Sequence, residues 1–273
     1  VQFVGTEVLL IGIFGLASAV LAAWVASLSV RDLAPADVFR EEKRSRMEAL
    51  SVLNQVTKMY TNGPEALKVL SEVNLSIPEG ALVVITGESG SGKSTLLHLL
   101  GGMDKPSSGT ILVGGMNISA ASEAGLTGYR QKDLGFIFQF HHLLKDFSAL
   151  ENVLMPGLLA GIPRARAAER AMELLDRVGI AGRAHAFPSE LSGGERQRAA
   201  VARAVMNEPR VLLADEPTGS LDEIHSREVE ELLFGLSRDL GKTLILVTHN
   251  RSLAAYADTH FHLTLGRVER IVK

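Results

Sequence analysis

Apolar positions along this chain fall into three distinct patterns. The first is an unbroken run. From Val8 to Val30 there is no charged residue and almost no polar one. As a helix this stretch spans roughly 35 Å, enough for a hydrocarbon core of about 30 Å. Gly15, Ala19 and Ala23 fall four apart and share a helix face, where small residues let a second membrane helix approach. The run predicts one transmembrane helix within residues 1–32. Arg31, Arg40, Lys43, Arg44 and Arg46 follow it, which predicts that the C-terminal side is cytoplasmic. The sequence opens with Val1 and not Met, so it reads as the tail of something longer. Residues 33–50, broken at Pro35 and then charged, read as a linker.

The second pattern is short β-branched runs bounded by turn residues. Ser51–Met59 and Leu67–Ile77 flank the turn Thr61-Asn62-Gly63-Pro64. Ala81–Thr86, Gly109–Val113, Gly135–Phe138, Val211–Ala214 and Leu244–Thr248 read as further strands. The third pattern is helical. Leu96–Leu100 reads as helix, and Phe140–Gly182 carries helix periodicity, clearest over Arg164–Val178. Another helix is expected over about Glu195–Met206. Strands alternating with helices predict an α/β fold, with a helical insertion near residues 140–205 of a domain spanning 51–273.

Composition adds little. The 273 residues suffice for one large domain or two modest ones. The net charge of -3, with both signs interspersed, gives no basic face for nucleic acid. The chain has no cysteine, which excludes disulfides and thiolate-bound metal.

Candidate chemistry collects where the strands end. After Ala81–Thr86 comes Gly87-Glu88-Ser89-Gly90-Ser91-Gly92-Lys93-Ser94-Thr95, then helix. G-x4-G-K-S between a strand and a helix is a phosphate-binding loop. Its glycines let backbone N–H groups wrap a polyphosphate, and the helix N-terminus adds its dipole. Lys93 supplies charge to the β- and γ-phosphates of a nucleoside triphosphate, and Ser94 a hydroxyl to Mg²⁺. Val211–Ala214 delivers Asp215 and Glu216: Asp215 suits the Mg²⁺ shell, and Glu216 can take a proton from an attacking water. Ser192-Gly193-Gly194-Glu195 presents a capped, bare helix N-terminus, a second anion site. Three residues are ambiguous by themselves. Gln139 at a strand end can reach a metal or water, or be a surface amide. His249 at a strand tip can bond a γ-phosphate, or be structural. Tyr60 can stack on a base, or simply pack.

Taken together these residues resemble the ATP-binding cassette (ABC) ATPases over about Ser51 to Lys273. Leu191-Ser192-Gly193-Gly194-Glu195-Arg196-Gln197-Arg198 is similar to the ABC signature, which few other proteins share. Gln139, the Asp215-Glu216 pair, Ser220-Leu221-Asp222 and His249 fall in the family's order and resemble its Q-loop, Walker B pair, D-loop and switch histidine. Tyr60 then resembles the adenine-stacking aromatic. The resemblance implies an ATPase that uses ATP and Mg²⁺. It also implies a homodimer in which the signature helix of one copy closes on the P-loop nucleotide of the other.

The wording of Gly90–Leu97, Gly135–Gln139 and Leu213–Gly219 is similar to the lipoprotein-releasing, macrolide-export and FtsE-type branch. That branch implies partner permeases of the FtsX/MacB type and a bacterial inner-membrane location with the ATPase on the cytoplasmic side. Residues up to Glu41 resemble the last membrane helix and tail of such a permease. Two departures stand out: a permease-like tail precedes the ATPase, and Lys145-Asp146 replaces the Pro-containing wording expected after Leu144. The implied activity is ATP-driven export or extraction of a lipoprotein, lipid or drug-like substrate. The alternative is FtsE-like mechanotransmission without transport.

Overall fold

The computed structural model describes residues 49–62 and 65–271. The expected transmembrane helix and most of the linker lie outside these residues. Among the described residues no helix is long and apolar enough to cross a membrane.

Two sheets make up the fold. The first is antiparallel, with order β2-β1-β4-β5, from β1 (Ala49–Asn62), β2 (Glu65–Pro78), β4 (Ser108–Val113) and β5 (Met116–Asn117). The second runs β10-β9-β3-β8-β7-β6. Its members are β3 (Leu82–Thr86), β6 (Leu134–Ile137), β7 (Val211–Asp215), β8 (Thr243–Thr248), β9 (Thr259–Thr264) and β10 (Arg267–Ile271). All its neighbours pair in parallel except β10, which closes the edge antiparallel to β9.

Strands β3 and β8 are buried at every step because both faces of this sheet are covered. Leu82 and Val84 of β3 point into one core, with Leu212, Ala214, Leu244 and Leu246. Val83 and Ile85 point into the other, with Leu213, Ile245 and Val247. The second core is completed by α1 (Lys93–Leu100) and by Leu53, Leu70 and Ile111 of the antiparallel sheet. The first is completed by helices between β6 and β7: α3 (Ala149–Leu159), α4 (Arg164–Arg177) and α5 (Gly193–Ala204). In α4 the buried residues are Ala167, Ala171, Leu174 and Leu175, the i, i+4, i+7, i+8 stripe of an amphipathic helix.

Several boundaries differ from expectation. β6 stops at Ile137, so Gln139 stands two residues beyond the strand and not at its end. Helix α5 begins at Gly193, not Glu195, because Ser192 caps it. The helix α2 (Glu123–Lys132) was not anticipated; it buries only Leu126 and Tyr129 and so leaves almost no periodic signal. Helix α6 (Glu223–Asp239) and the hairpin β9–β10 were likewise not foreseen.

Candidate active site

The parallel sheet positions the site. Residue pairs Thr86–Thr248 and Asp215–Val247 are in register, so β3, β8 and β7 end side by side. Neighbouring strands lie about 4.8 Å apart, so groups just past these tips converge although they are far apart in sequence. Open α/β sheets keep their ligands at this carboxyl end. Gly87, His249 and Glu216 follow the three tips, and Gln139 follows β6 beside them.

The loop after β3 curls around a cavity of about 370 Å³ lined by Ser89, Gly90, Gly92, Lys93, Ser94 and Thr95 from its own wall. Val69, Gln139, Glu216 and His249 line the rest. Gly92, the N-cap of α1, has φ 105°, and a Cβ there would lie 3.0 Å from the Val69 carbonyl oxygen. Gly87 is constrained by approach: its Cβ would stand 2.5 Å from the Leu263 carbonyl oxygen. Ser91 and Glu88 complete the loop; the carbonyl oxygens of Glu88 and Gly87 accept hydrogen bonds from Lys93 Nζ at 3.0 and 2.9 Å. These bonds hold the largely buried ammonium within the loop, 3.5 Å from Glu216 Oε1.

The carboxylates differ in their surroundings. Asp215 Oδ1 accepts from Ser94 Oγ at 3.1 Å. Burial pushes the Asp215 carboxyl above its ordinary range, and the Ser94 hydroxyl offsets this only in part. Glu216 sits at φ 45°, in the left-handed region that costs a non-glycine residue about 1 kcal/mol or more. Its N–H is anchored on the Val247 carbonyl at 3.0 Å. Three donors converge on Glu216 Oε2: His249 Nδ1 at 2.7 Å, His249 N–H at 3.3 Å and Thr248 Oγ1 at 3.4 Å. An ionised carboxylate only accepts, so the hydrogen in the shortest contact sits on Nδ1 and Nε2 is left for another partner. A strained acid fixed at both backbone and side chain is a preorganised group.

Gln139 rests on the loop after Glu216. Its carbonyl accepts from Ser220 Oγ at 3.2 Å, and its Nε2 would be 2.9 Å from a Cβ on Gly219. Helix α5 fastens the same segment. Buried Gln197 donates to the Phe138 carbonyl at 3.0 Å, and Arg203 donates to the carbonyls of His141 and His142 at 2.8 and 2.7 Å. No periodicity points to Gln197 or Arg203, because their partners are backbone groups brought near only by folding.

The capped end of α5 is elsewhere. Ser192 Oγ accepts from the Glu195 N–H, and Glu195 Oε2 accepts from the Ser192 N–H at 2.7 Å, a reciprocal capping box. The Ser192 N–H bond holds the Glu195 carboxyl below its usual range, aided by Arg183 at 3.4 Å. Glu195 is thus engaged within its own helix end. A Cβ on Gly193 or Gly194 would meet Leu221 at 3.1 Å or His225 at 3.2 Å. None of Ser192, Gly193, Gly194 and Glu195 lines the cavity. Tyr60 does not line it either; its hydroxyl donates to Asp104 Oδ2 at 2.8 Å and also meets the Thr95 side chain.

The profile of the ABC transporter family matches residues 70–219. The lipoprotein-releasing system ATP-binding protein LolD of Treponema pallidum is 48% identical over 219 residues, 80% of this chain and 97% of that protein. LolD of Geobacter metallireducens is 48% identical over 222 residues, 81% of this chain and 99% of the relative. Among solved structures, a dimeric ATP-binding cassette in a post-hydrolysis state, bound to ADP and Pi, superposes with a TM-score of 0.74. It is 36% identical and covers 82% of this chain and 99% of its own.

Proposed function

The chain belongs to the ABC transporter family as an ATP-hydrolysing nucleotide-binding subunit, and from that premise we propose that it drives release of lipoproteins from a membrane. The observation that carries the chemistry is the convergence of Lys93, Glu216, His249 and Gln139 on one cavity, with Asp215 held beside it through the Ser94 hydroxyl. In this proposal residues 51–273 form the ATP-binding domain, with residues 140–205 as its helical part.

The loop N–H groups and Lys93 hold the ATP phosphates, and Tyr60 meets the base. Glu216 accepts a proton from water as the water oxygen bonds to the γ-phosphorus and the bridging P–O bond breaks, releasing ADP. His249, held by Glu216 through Nδ1, presents Nε2 to the γ-phosphate. Ser94, Asp215 and Gln139 would hold Mg²⁺ through their side-chain oxygens, and the ion would neutralise charge on the phosphates. Among the described residues no cluster of three His, Cys, Asp or Glu forms a metal cage. Mg²⁺ does not need one, since it binds through one or two carboxylates plus substrate phosphates.

A second copy supplies what one chain lacks. Its Ser192, Gly193, Gly194 and Glu195 helix end closes on this chain's nucleotide, which accounts for a capped helix end set apart from its own cavity. A permease of the FtsX/MacB type docks on a groove of about 500 Å³ that includes Leu144, Met155 and Leu159. Leu159 is 70% exposed and Leu144 47%, a pair of apolar groups beside one apolar groove. In this reading the chain works at the cytoplasmic face of the bacterial inner membrane.

The test is ATPase activity of the full chain with its cognate permease in lipid, with and without an acylated lipoprotein. Stimulation by the permease that changes again on adding lipoprotein is expected. Stimulation that ignores every cargo and answers to a periplasmic protein would replace release with FtsE-like mechanotransmission.

A further inference from the structure

Tyr60 stands near the end of β1, with Lys58 two residues before it on the same strand. Lys58 Nζ lies 4.6 Å from the centre of the Tyr60 ring, within cation–π range. The same ammonium is 2.6 Å from Asp104 Oδ1 and donates to the Lys105 carbonyl at 2.8 Å. The other oxygen of Asp104 accepts the Tyr60 hydroxyl at 2.8 Å. One carboxylate therefore holds both the ring's hydroxyl and the cation lying over the ring.

Asp104 is itself well placed to transmit order. It lies four residues beyond α1, the helix that begins with Lys93 and Ser94. Its loop is stitched to β1: Ser107 N–H donates to the Thr57 carbonyl, and Met59 N–H to Ser107 Oγ, both at 2.9 Å. Arg130 ties the start of the loop by donating to the Gly102 carbonyl at 2.8 Å. Burial pushes the Asp104 carboxyl upward, yet the Lys58 and Tyr60 hydrogen bonds outweigh it and leave it below its usual range. The carboxylate form is the one these partners hold.

We propose that Asp104 and Lys58 are positioning residues for the nucleotide base: they lock Tyr60 in one orientation and cover one face of its ring, so that the other receives the base of ATP. The proposal rests on Tyr60 being the base-contacting aromatic. A ring fixed before binding loses less freedom when the base stacks on it, so affinity is gained without any new contact to ATP. The phosphate and base subsites then form one unit through α1 and the 102–108 loop.

The experiment is calorimetric titration of the full-length chain with ATP and, separately, with inorganic tripolyphosphate, which lacks the base. Asp104→Asn is expected to weaken ATP binding on the order of 5-fold, the scale of one hydrogen bond. Tripolyphosphate affinity and kcat should stay unchanged while KM for ATP rises. In a Tyr60→Phe background, which lacks the hydroxyl, Asp104→Asn should add much less than it does alone. Equal weakening of ATP and tripolyphosphate would make Asp104 a support of the phosphate loop and overturn the proposal. Unchanged ATP affinity, or full additivity with Tyr60→Phe, would overturn it as well. Tyr60→Ala separates the premise: if that variant binds ATP as the wild type does, base contact by Tyr60 fails, and the positioning role fails with it.

Discussion

Replacing Glu216 by Gln removes one charge and almost no shape. The backbone at φ 45° and its anchor on the Val247 carbonyl are untouched. Three donors converge on Oε2, so the oxygen of the new side-chain amide is best placed there, facing His249 and Thr248. Its NH₂ then faces Lys93, which lies 3.5 Å from Oε1 in the wild type. Lys93 keeps its two carbonyl acceptors, so the loop should hold its shape. The ion pair that is lost is largely buried, but at 3.5 Å it is longer than a charge-assisted hydrogen bond, and the ammonium keeps its shorter bonds to the loop carbonyls. Losing a carboxylate beside the proposed γ-phosphate position removes a like charge, so ATP binding should persist or tighten. Turnover should not persist, because an amide takes no proton. General-base catalysis is worth about 10²–10⁴-fold, or roughly 3–5 kcal/mol of barrier. The assay is phosphate release by Glu216→Gln in lipid with the permease present, beside ATP titration and thermal unfolding of the same preparation. A turnover loss of about 100-fold or more with near-native unfolding and intact ATP binding is expected. Activity within a few-fold of wild type would remove Glu216 from the base role and refute the reasoning.

Asp215→Asn should separate stability from function. The folded-state pKa of Asp215 is raised by burial, so the native protein holds its proton to higher pH than the unfolded chain does. The charge therefore destabilises the nucleotide-free fold increasingly as pH climbs from about 4 through the raised value. The Asn variant should unfold at a higher temperature than wild type at about pH 7.5 without Mg²⁺ or ATP, and the gap should close toward about pH 4. It should also lose Mg²⁺-dependent ATP turnover; lower stability near neutral pH would contradict the burial argument. Ser192→Arg loses the hydroxyl that accepts the Glu195 N–H, which costs about 1 kcal/mol in unfolding measurements. It should leave ATP binding by one subunit intact and abolish ATP-dependent dimers in light scattering, and preserved dimerisation would count against the composite site. Leu159→Glu places a charge beside the apolar groove. It should leave basal ATPase unchanged and remove stimulation by the permease, and full stimulation would move the docking surface elsewhere.

Much of the parallel sheet was legible in the sequence for a physical reason. Strands covered on both faces are apolar along most of their length, so Leu82–Ile85 and Leu244–Val247 stand out as runs. The glycine loop after β3 was equally plain, because Gly92 at φ 105° and Gly87 against the Leu263 carbonyl exclude a side chain. Ser192 and Glu195 announced a helix start, since capping is a local interaction. Helix α2 was silent: only Leu126 and Tyr129 are buried, too few to set a period. What no local pattern carries is which distant groups meet. Strand order alone sets Glu216 beside His249 and Lys93, and leaves Ser192 outside their cavity. The partnership of Lys58, Tyr60 and Asp104 likewise arises from a loop laid across a strand more than forty residues away in the chain. Local chemistry determined the parts, because capping, strand burial and loop glycines depend on near neighbours. Tertiary structure decided their combination, because pairing of strands and helices brings together residues whose sequence separation carries no signal.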